Sequence, residues 1–203
     1  MPKKTPTRQL ILEAAVDCIE KFGLEAVTTR RIAVQAGTNL ASINYHFRSK
    51  QHLLQEVLAM TIKHMLQDVF EAIDDAGQSF EAVFSNVLFY LLDGAVRFPG
   101  ITTAHLRLAL DDQGSVSAKA MSRVFDRLAE RTVEAYPARD AELLRLRMAQ
   151  VMSSILFSML QPALFTVNRA HRLTNSERAR KLADLYAQLF YSGIKGDPGG
   201  RQT

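Results

Sequence analysis

Apolar side chains recur at helical spacing along almost the whole chain, and long alternating runs typical of β-strands are absent. In the first pattern Leu10, Ala14 and Cys18 share one face, and Gly23 supplies a C-terminal stop. A threonine at 28 or 29 and Asn39 are suitable N-cap residues for the next two helices. The pattern predicts helices over 10–22, 28–36, 39–47, 49–73, 79–98, 101–111, 116–136, 140–168 and 175–192.

The nine predicted helices indicate an all-α chain, whose 203 residues can hold one large domain or a small and a medium one. A hydrophobic content of 47% with 23% charged residues is ordinary for a globular protein. We expect a three-helix domain over 1–52, a helical domain over 53–195 and a flexible tail over 196–203. The boundary falls inside the long fourth helix, which would couple the two domains mechanically.

The stretch TTRRIAVQAGTNLASINYHFRSK, residues 28–50, carries the clearest functional signal. Two short apolar-periodic segments flank a Gly37-Thr38-Asn39 turn, and the second bears aromatic, amide and basic side chains. This pattern is typical of a helix-turn-helix whose second helix lies against DNA. Ile43 and Phe47 lie four residues apart and are predicted to pack inward. The side chains left to face DNA are those of Leu40, Ala41, Ser42, Asn44, Tyr45 and His46.

The chemistry of these side chains predicts separate roles. Asn44 can pair in bidentate fashion with adenine, and apolar groups at 40 and 41 can touch a thymine methyl. The residues expected to read bases are Arg30, Leu40, Ala41, Ser42 and Asn44. Those expected to hold phosphates are Thr29, Tyr45, His46 and Lys50, and Thr28 and Asn39 complete the expected contact set. The alternative is that Tyr45 and His46 merely complete a small three-helix core.

The positive charge lies in the same region. Residues 1–52 hold eight Lys and Arg against four acids, whereas the rest of the chain holds 17 of each sign. The whole formal excess of +4 therefore belongs to the segment with the helix-turn-helix pattern, which favours a contact with phosphates. A second basic cluster, over 169–181, is interpreted as a solvated loop and helix start.

Residues 28–54 resemble the N-terminal motif of the TetR family of transcriptional regulators, and the clear match covers roughly residues 8 to 55. The matching elements are Thr28, Ile32-Ala33, Ala36-Gly37, Tyr45-His46-Phe47, Ser49-Lys50 and Leu53. The segment NLASINYHF resembles a branch that includes regulators of fatty-acid metabolism. The resemblance implies an Ω-shaped homodimer that binds a palindromic double-stranded operator, usually as a repressor, until a small ligand in the C-terminal domain releases it. Asn44 stands where the family commonly has another aromatic residue, so no base preference can be carried over.

The segment 140–168 carries two adjacent apolar stripes, although a helix that faces only its own core needs one. Together with the helix over 175–192, it predicts an isologous four-helix interface between two copies of the chain. The alternative is a thicker monomer core, and the pattern leaves open which stripe faces the partner. A kink is expected at Pro162. The candidate interface residues are Leu160, Leu164, Leu182, Leu185 and Leu189.

A regulatory pocket is expected among the helices from 79 to 168, because Met and aromatic walls suit a lipophilic ligand with one polar end. The candidate lining residues are Phe84, Leu88, Tyr90, Leu91, His105, Arg107, Phe125, Met152 and Leu156. His105 and Arg107 are two residues apart on a helix and cannot both point into one pocket. The alternative is that all of these are core residues of a packed helical domain.

Other classes of protein receive less support from the sequence. It contains no nucleophile elbow, phosphate-binding Gly loop or HExxH motif, so no enzyme and no cofactor are expected. His52, His64 and His171 are scattered and predict no metal site. The basic N-terminus lacks a signal-peptide pattern, and no apolar run reaches the length of a membrane span, so a cytoplasmic protein is expected. A helical protein-interaction module and a DNA-binding protein without a ligand remain as alternatives.

Overall fold

The computed structural model describes residues 6–75, 77–160 and 175–195, and these residues form nine α-helices. The helices are α1 (Thr7–Phe22), α2 (Thr29–Gln35), α3 (Leu40–Phe47), α4 (Lys50–Ile73), α5 (Phe80–Arg97), α6 (Pro99–Asp111), α7 (Val116–Ala135), α8 (Ala141–Leu160) and α9 (Ser176–Lys195). The prediction of an all-α chain is confirmed, and each predicted helix is present. The expected kink at Pro162, the predicted helical residues 161–168 and the tail over 196–203 lie outside the described residues.

Short polar side chains start the helices of the N-terminal region. The backbone N–H of Arg31 donates to the side-chain oxygen of Thr28 at 3.3 Å, and that of Ser42 donates to Asn39 at 2.9 Å. Ser49 caps α4 in the same way. Each cap satisfies one of the N–H groups that a helix start leaves without an intrahelical partner. Thr28 and Asn39 therefore act as the N-caps that the sequence predicted.

The N-terminal helices share one apolar core. Its fully buried side chains include Ile19 of α1, Ile32 of α2 and Phe47 of α3. α4 contributes Leu53 and Val57, both beyond the boundary at 52 that the sequence suggested. Ile101 of α6, only 7% exposed, belongs to the same core although it follows α4 by almost thirty residues. Cys18 is buried in this core, as expected, and burial raises the pKa of its thiol.

A second core holds α4 to the helices that follow it. Val69 and Ile73, in the last turns of α4, pack with side chains of α5, α7, α8 and α9. α5 packs most extensively against α9, and the ring centroids of Phe84 and Phe190 lie 4.8 Å apart. α4 therefore contributes its first half to one core and its second half to the other.

α8 is the one described helix that is long and apolar enough to cross a membrane by composition. This differs from the expectation that no apolar run reaches the length of a membrane span. Leu144, Met148 and Ile155 of α8 are buried in the C-terminal core. Packing inside the helical domain therefore accounts for one side of α8, whereas Leu146 and Phe157 on this helix are 61% and 47% exposed.

Candidate DNA-binding surface

The recognition helix α3 is anchored by two side chains. Ile43 and Phe47 are 1% and 0% exposed, which confirms that they pack inward. The other side of the helix faces solvent: Tyr45 is 84% exposed and Leu40 is 44% exposed. Ala41 and Asn44 are also exposed, and Ser42 and His46 are partly exposed. The alternative in which Tyr45 completes the three-helix core is thus contradicted by its exposure.

Two predicted DNA contacts already have a structural task. The side-chain oxygen of Thr28 accepts the N–H of Arg31, and the amide oxygen of Asn39 accepts the N–H of Ser42. The hydroxyl hydrogen of Thr28 and the amide NH₂ of Asn39 are the groups that they can still offer as donors. If Thr28 or Asn39 contacts a phosphate, its side chain is therefore already fixed by a hydrogen bond to its own helix.

The two neighbouring arginines of α2 differ in their environment. The Arg31 guanidinium lies over the Phe22 ring, 4.6 Å from its centroid, and donates to the backbone oxygen of Ala26. Arg30 is exposed, and Val34, one turn later on the same face, is 78% exposed. Val34 is absent from the predicted contact residues, although its position out of phase with the buried pair Ile32 and Ala33 indicates an exposed side chain.

The turn between α3 and α4 is held from several sides. Arg48 adopts a left-handed backbone conformation with a φ of 60°, and Ser49 then caps α4. The imidazole Nδ1 of His52 lies 3.0 Å from the backbone oxygen of Phe47. Arg8 lies over the Phe47 ring and pairs with a carboxylate of α4. Lys50, the first residue of α4, is exposed beside this turn.

The residues predicted to line a pocket occupy different environments. Phe84 and Leu88 are fully buried, and Met152 is 6% exposed. Leu91, Phe125 and Leu156 are partly buried. The Tyr90 hydroxyl donates to Asp68 of α4, and burial raises the pKa of this phenol.

The two polar candidates on α6 point in opposite directions. Arg107 is exposed, and its guanidinium lies 3.3 Å from the carboxylate of Glu25, so it cannot anchor a ligand in the domain interior. His105 is buried, with Nε2 2.8 Å from the Thr61 hydroxyl and Nδ1 2.8 Å from the Ser117 hydroxyl. Burial lowers the pKa of His105 to about 4, so the imidazole is neutral at pH 7.

The candidate interface residues also differ in their exposure to solvent. Leu182 is 4% exposed and belongs to the core of its own chain, because its face of α9 turns toward α5. Leu185 and Leu189, three and seven residues later, lie at the exposed edge of that face and are 41% and 57% exposed. On α8, the stripe formed by Leu144, Met148, Val151 and Ile155 packs inward, and Leu160 is partly exposed. Leu164 lies outside the described residues.

Among the described residues, α2 and the exposed, polar α3 form a helix-turn-helix, an arrangement that is typical of proteins that bind DNA. Residues 11–57, the segment that contains α2 and α3, match the family described as "Bacterial regulatory proteins, tetR family". The fold is similar to that of FadR from Bacillus subtilis in complex with stearoyl-CoA, with a TM-score of 0.64 and 16% identity over 92% of this chain and 98% of that one. PfmR from Thermus thermophilus has a TM-score of 0.66 and 19% identity, covering 91% and 98%.

Curated relatives are similar over shorter stretches. Nucleoid occlusion factor SlmA of Vibrio campbellii is 25% identical over 127 residues, which cover 62% of this chain and 64% of the relative. The nicotine-responsive transcriptional repressor HdnoR of Paenarthrobacter nicotinovorans is 28% identical over 67 residues, covering 33% and 34%. The chain thus matches less than two thirds of the length of these relatives.

Proposed function

We propose that the chain represses transcription by binding a palindromic operator as a homodimer, and that a small lipophilic effector releases it. In this proposal residues 1–52 bind DNA, and residues 53–195 bind the effector and the second copy. The observation that supports it best is the solvent-facing side of α3. Two buried side chains hold this helix, and its amide, hydroxyl and aromatic groups point outward on the segment that carries the net positive charge.

The base-reading part of the surface consists of the outward side of α3 and Arg30. A helix-turn-helix presents the first residues of its second helix to base edges in the major groove. Ser42 and Asn44 supply hydrogen-bonding groups there, and Leu40 supplies an exposed apolar contact for a thymine methyl. Val34 extends the apolar part of this surface onto α2, on the same face as Arg30.

The phosphate-binding part surrounds it. Lys50 stands in the first turn of α4, where the partial positive charge of a helix start adds to that of its ammonium group. Tyr45 and His46, whose rings meet edge to face with centroids 5.1 Å apart, offer donors at the end of α3. Thr29 offers a hydroxyl at the start of α2. These contacts would set the register of the protein on DNA without reading sequence.

The proposed dimer uses the outer faces of α8 and α9. Leu185 and Leu189 are one turn apart and exposed, and on α8 Leu146 and Phe157 are 61% and 47% exposed. Apolar side chains exposed together on two long helices are typical of a surface that a partner covers. Two helices from each copy would form an isologous four-helix interface, whose symmetry matches that of a palindromic operator.

The proposed effector is a lipophilic molecule with one polar end, and a fatty acyl thioester is the first choice. FadR, whose fold this chain shares, was crystallised with stearoyl-CoA, and HdnoR is nicotine-responsive by name. Met152 and the aromatic side chains of the C-terminal core provide the kind of wall that an acyl chain contacts. A regulator of this kind acts in the cytoplasm, where the DNA is.

A second candidate function is nucleoid occlusion. The match to SlmA runs over 127 residues and is longer than the helix-turn-helix segment, so it extends into the C-terminal domain. The two functions differ in the number and position of the sites that the protein would bind on the chromosome. We expect a repressor at one or a few promoters, and we expect a protein that acts on the nucleoid as a whole to bind many sites along the chromosome. Chromatin immunoprecipitation from cells with a native level of the protein separates them by the number and position of the bound sites.

The decisive experiment is selection of the operator in vitro from a random duplex pool, followed by release assays with ligands. We expect a palindromic site and an affinity that falls steeply with salt. Asn44→Ala is expected to cost about 1–3 kcal/mol on the selected site and to relax specificity at one base pair. Lys50→Ala is expected to weaken all duplexes alike and to lower the salt slope by about one. Equal binding of every duplex by the parent and Asn44→Ala would contradict the base-reading role.

The release assay compares stearoyl-CoA, free coenzyme A and nicotine at equal concentrations. Release by the acyl thioester but not by free coenzyme A would support a pocket that recognises the acyl chain. Release by none of them would contradict the proposed effector class and leave a DNA-binding protein that does not respond to these ligands.

A further inference from the structure

The start of α6 has no N-cap side chain of its own. Phe98 precedes the helix and offers no hydrogen-bond acceptor in its side chain. Instead, the backbone N–H of Gly100 donates to Oε2 of Glu20 at 2.9 Å, and that of Ile101 donates to Oε1 at 2.7 Å. Glu20 belongs to α1, so the carboxylate that caps α6 comes from the DNA-binding domain.

Close packing accompanies these hydrogen bonds. A Cβ at Gly100 would lie 2.7 Å from the backbone oxygen of Ile19 and 2.8 Å from the Cα of Glu20, so only glycine allows α6 to approach α1 this closely. Ile101 is buried in the N-terminal core. We name this arrangement of Glu20, Gly100 and Ile101 the α6 clasp.

The next turn of α6 is bound to the rest of the protein. His105 follows Ile101 by four residues and lies between the hydroxyls of Thr61 on α4 and Ser117 on α7. α6 is therefore held to α1 at its start and to α4 and α7 one turn later. The link from α1 through α6 runs beside the continuous helix α4, so the two domains are joined through α6 as well as through α4.

We propose that Glu20 is a positioning residue, which through the α6 clasp sets the orientation of the recognition helix relative to the C-terminal domain. α1 and α3 share one core, so fixing α1 on α6 also fixes α3. This proposal rests on the proposed function, because orientation matters to affinity only if a dimer must place two recognition helices at a set spacing on DNA. A dimer with looser helices loses more orientational freedom on binding and binds more weakly.

The test compares Glu20→Gln with Glu25→Gln in the full chain. Both variants remove one acid from the same region, but the side chain of Glu25 is 88% exposed and pairs with the exposed Arg107 rather than with the start of α6. Glutamine replaces one carboxylate oxygen with an NH₂ donor and removes the negative charge, so it cannot accept the two N–H groups of α6 on two separate oxygens. We expect hydrogen exchange at Gly100 or Ile101 to accelerate at least about tenfold in Glu20→Gln and to stay at the parent rate in Glu25→Gln.

The functional measurement uses the operator selected with the parent protein. Glu20→Gln is expected to raise the dissociation constant about tenfold, whereas Glu25→Gln stays within about twofold. The salt slope of Glu20→Gln should equal that of the parent, because no phosphate contact is removed. Unchanged affinity in a Glu20→Gln protein with accelerated exchange would overturn the proposal, and so would unprotected Gly100 and Ile101 amides in the parent.

A second variant and a measurement without DNA test the positioning role of Glu20 separately from the proposed DNA-binding function. Gly100→Ala leaves the carboxylate in place but forces α6 away from α1, so it should weaken operator binding as Glu20→Gln does. Residual dipolar couplings report the orientation of α3 relative to α9 in the free protein. A change of this orientation in Glu20→Gln is expected, and an unchanged orientation would overturn the clasp. Failure of the parent to select any duplex would instead refute the proposed function and leave this measurement valid.

Discussion

Replacing His105 by glutamine is expected to make the protein less sensitive to acid. The folded protein holds the imidazole in a buried site that lowers its pKa from the ordinary 6.5 to about 4. Between pH 6.5 and 4 the unfolded chain binds a proton at His105 more readily than the folded protein does. The free energy of unfolding is therefore not reduced by this group above pH 6.5, and it decreases as the pH falls from 6.5 toward 4. The free energy of unfolding falls by about 3 kcal/mol when the loss is complete, and by about 2 kcal/mol at pH 5.

Urea unfolding at several pH values between 7.5 and 4 measures this effect. Carboxylates also titrate in this range, so the informative quantity is the difference in pH dependence between parent and variant. Glutamine offers an NH₂ donor group and an acceptor oxygen at all these pH values, so it can form hydrogen bonds with the same two hydroxyls. His64→Gln, at an exposed position on α4, is the control and should keep the pH dependence of the parent. Equal losses of stability in the parent and in His105→Gln would show that the buried imidazole does not cause the acid sensitivity.

The hydrogen-bond pattern also predicts which nitrogen of His105 carries the proton. The Thr61 hydroxyl donates to backbone oxygens of its own helix, 3.0 and 3.2 Å away. It must therefore accept from the imidazole, which places the hydrogen on Nε2 and leaves Nδ1 to accept from Ser117. Nitrogen chemical shifts of the imidazole distinguish the two tautomers, and a hydrogen on Nδ1 would contradict this assignment.

Three further predictions follow from side chains of known burial. Phe47→Ala should cost about 3–5 kcal/mol of unfolding free energy, since the ring is fully buried, and a loss below about 1 kcal/mol in urea unfolding would be inconsistent with this packing. Asn39→Asp keeps an N-cap acceptor but adds a negative charge, so thermal stability should hold while operator affinity falls; Asn39→Ala should instead lose about 1 kcal/mol of stability. Leu189→Glu should shift sedimentation toward the monomer, whereas Leu110→Glu, at a 66% exposed position on α6, should not; identical sedimentation of both variants would argue against the proposed interface.

Local sequence signals predicted the helices well because these helices are encoded locally. Thr28 and Asn39 are short polar residues placed just before apolar periodicity begins, and both cap their helices. Ile43 and Phe47 are four residues apart, and their spacing alone identifies the buried side of α3. The exposed character of α3 could be inferred from sequence for the same reason, since the helix is short and only one of its faces is apolar.

Relations between distant segments could not be predicted in this way. Periodicity shows that Leu182 lies on an apolar face, but it cannot tell whether that face meets the same chain or a second copy. The same limit applies to His105, whose two hydroxyl partners come from α4 and α7. Glu20 is separated from Gly100 by eighty residues, and a single acid on a helix gives no sign of its partner.

The position of Ile101 has a consequence for synthesis of the chain on the ribosome. The N-terminal core otherwise ends at Val57, so its last apolar side chain is translated about forty residues later. At about 5–20 residues per second, the nascent domain waits roughly 2–8 s for that side chain. During this interval the side of α1 that receives α6 remains open to solvent, and neither Gly100 nor Ile101 is present to take up the carboxylate of Glu20. The DNA-binding domain, although first in the chain, is therefore completed only after the next domain has begun to emerge.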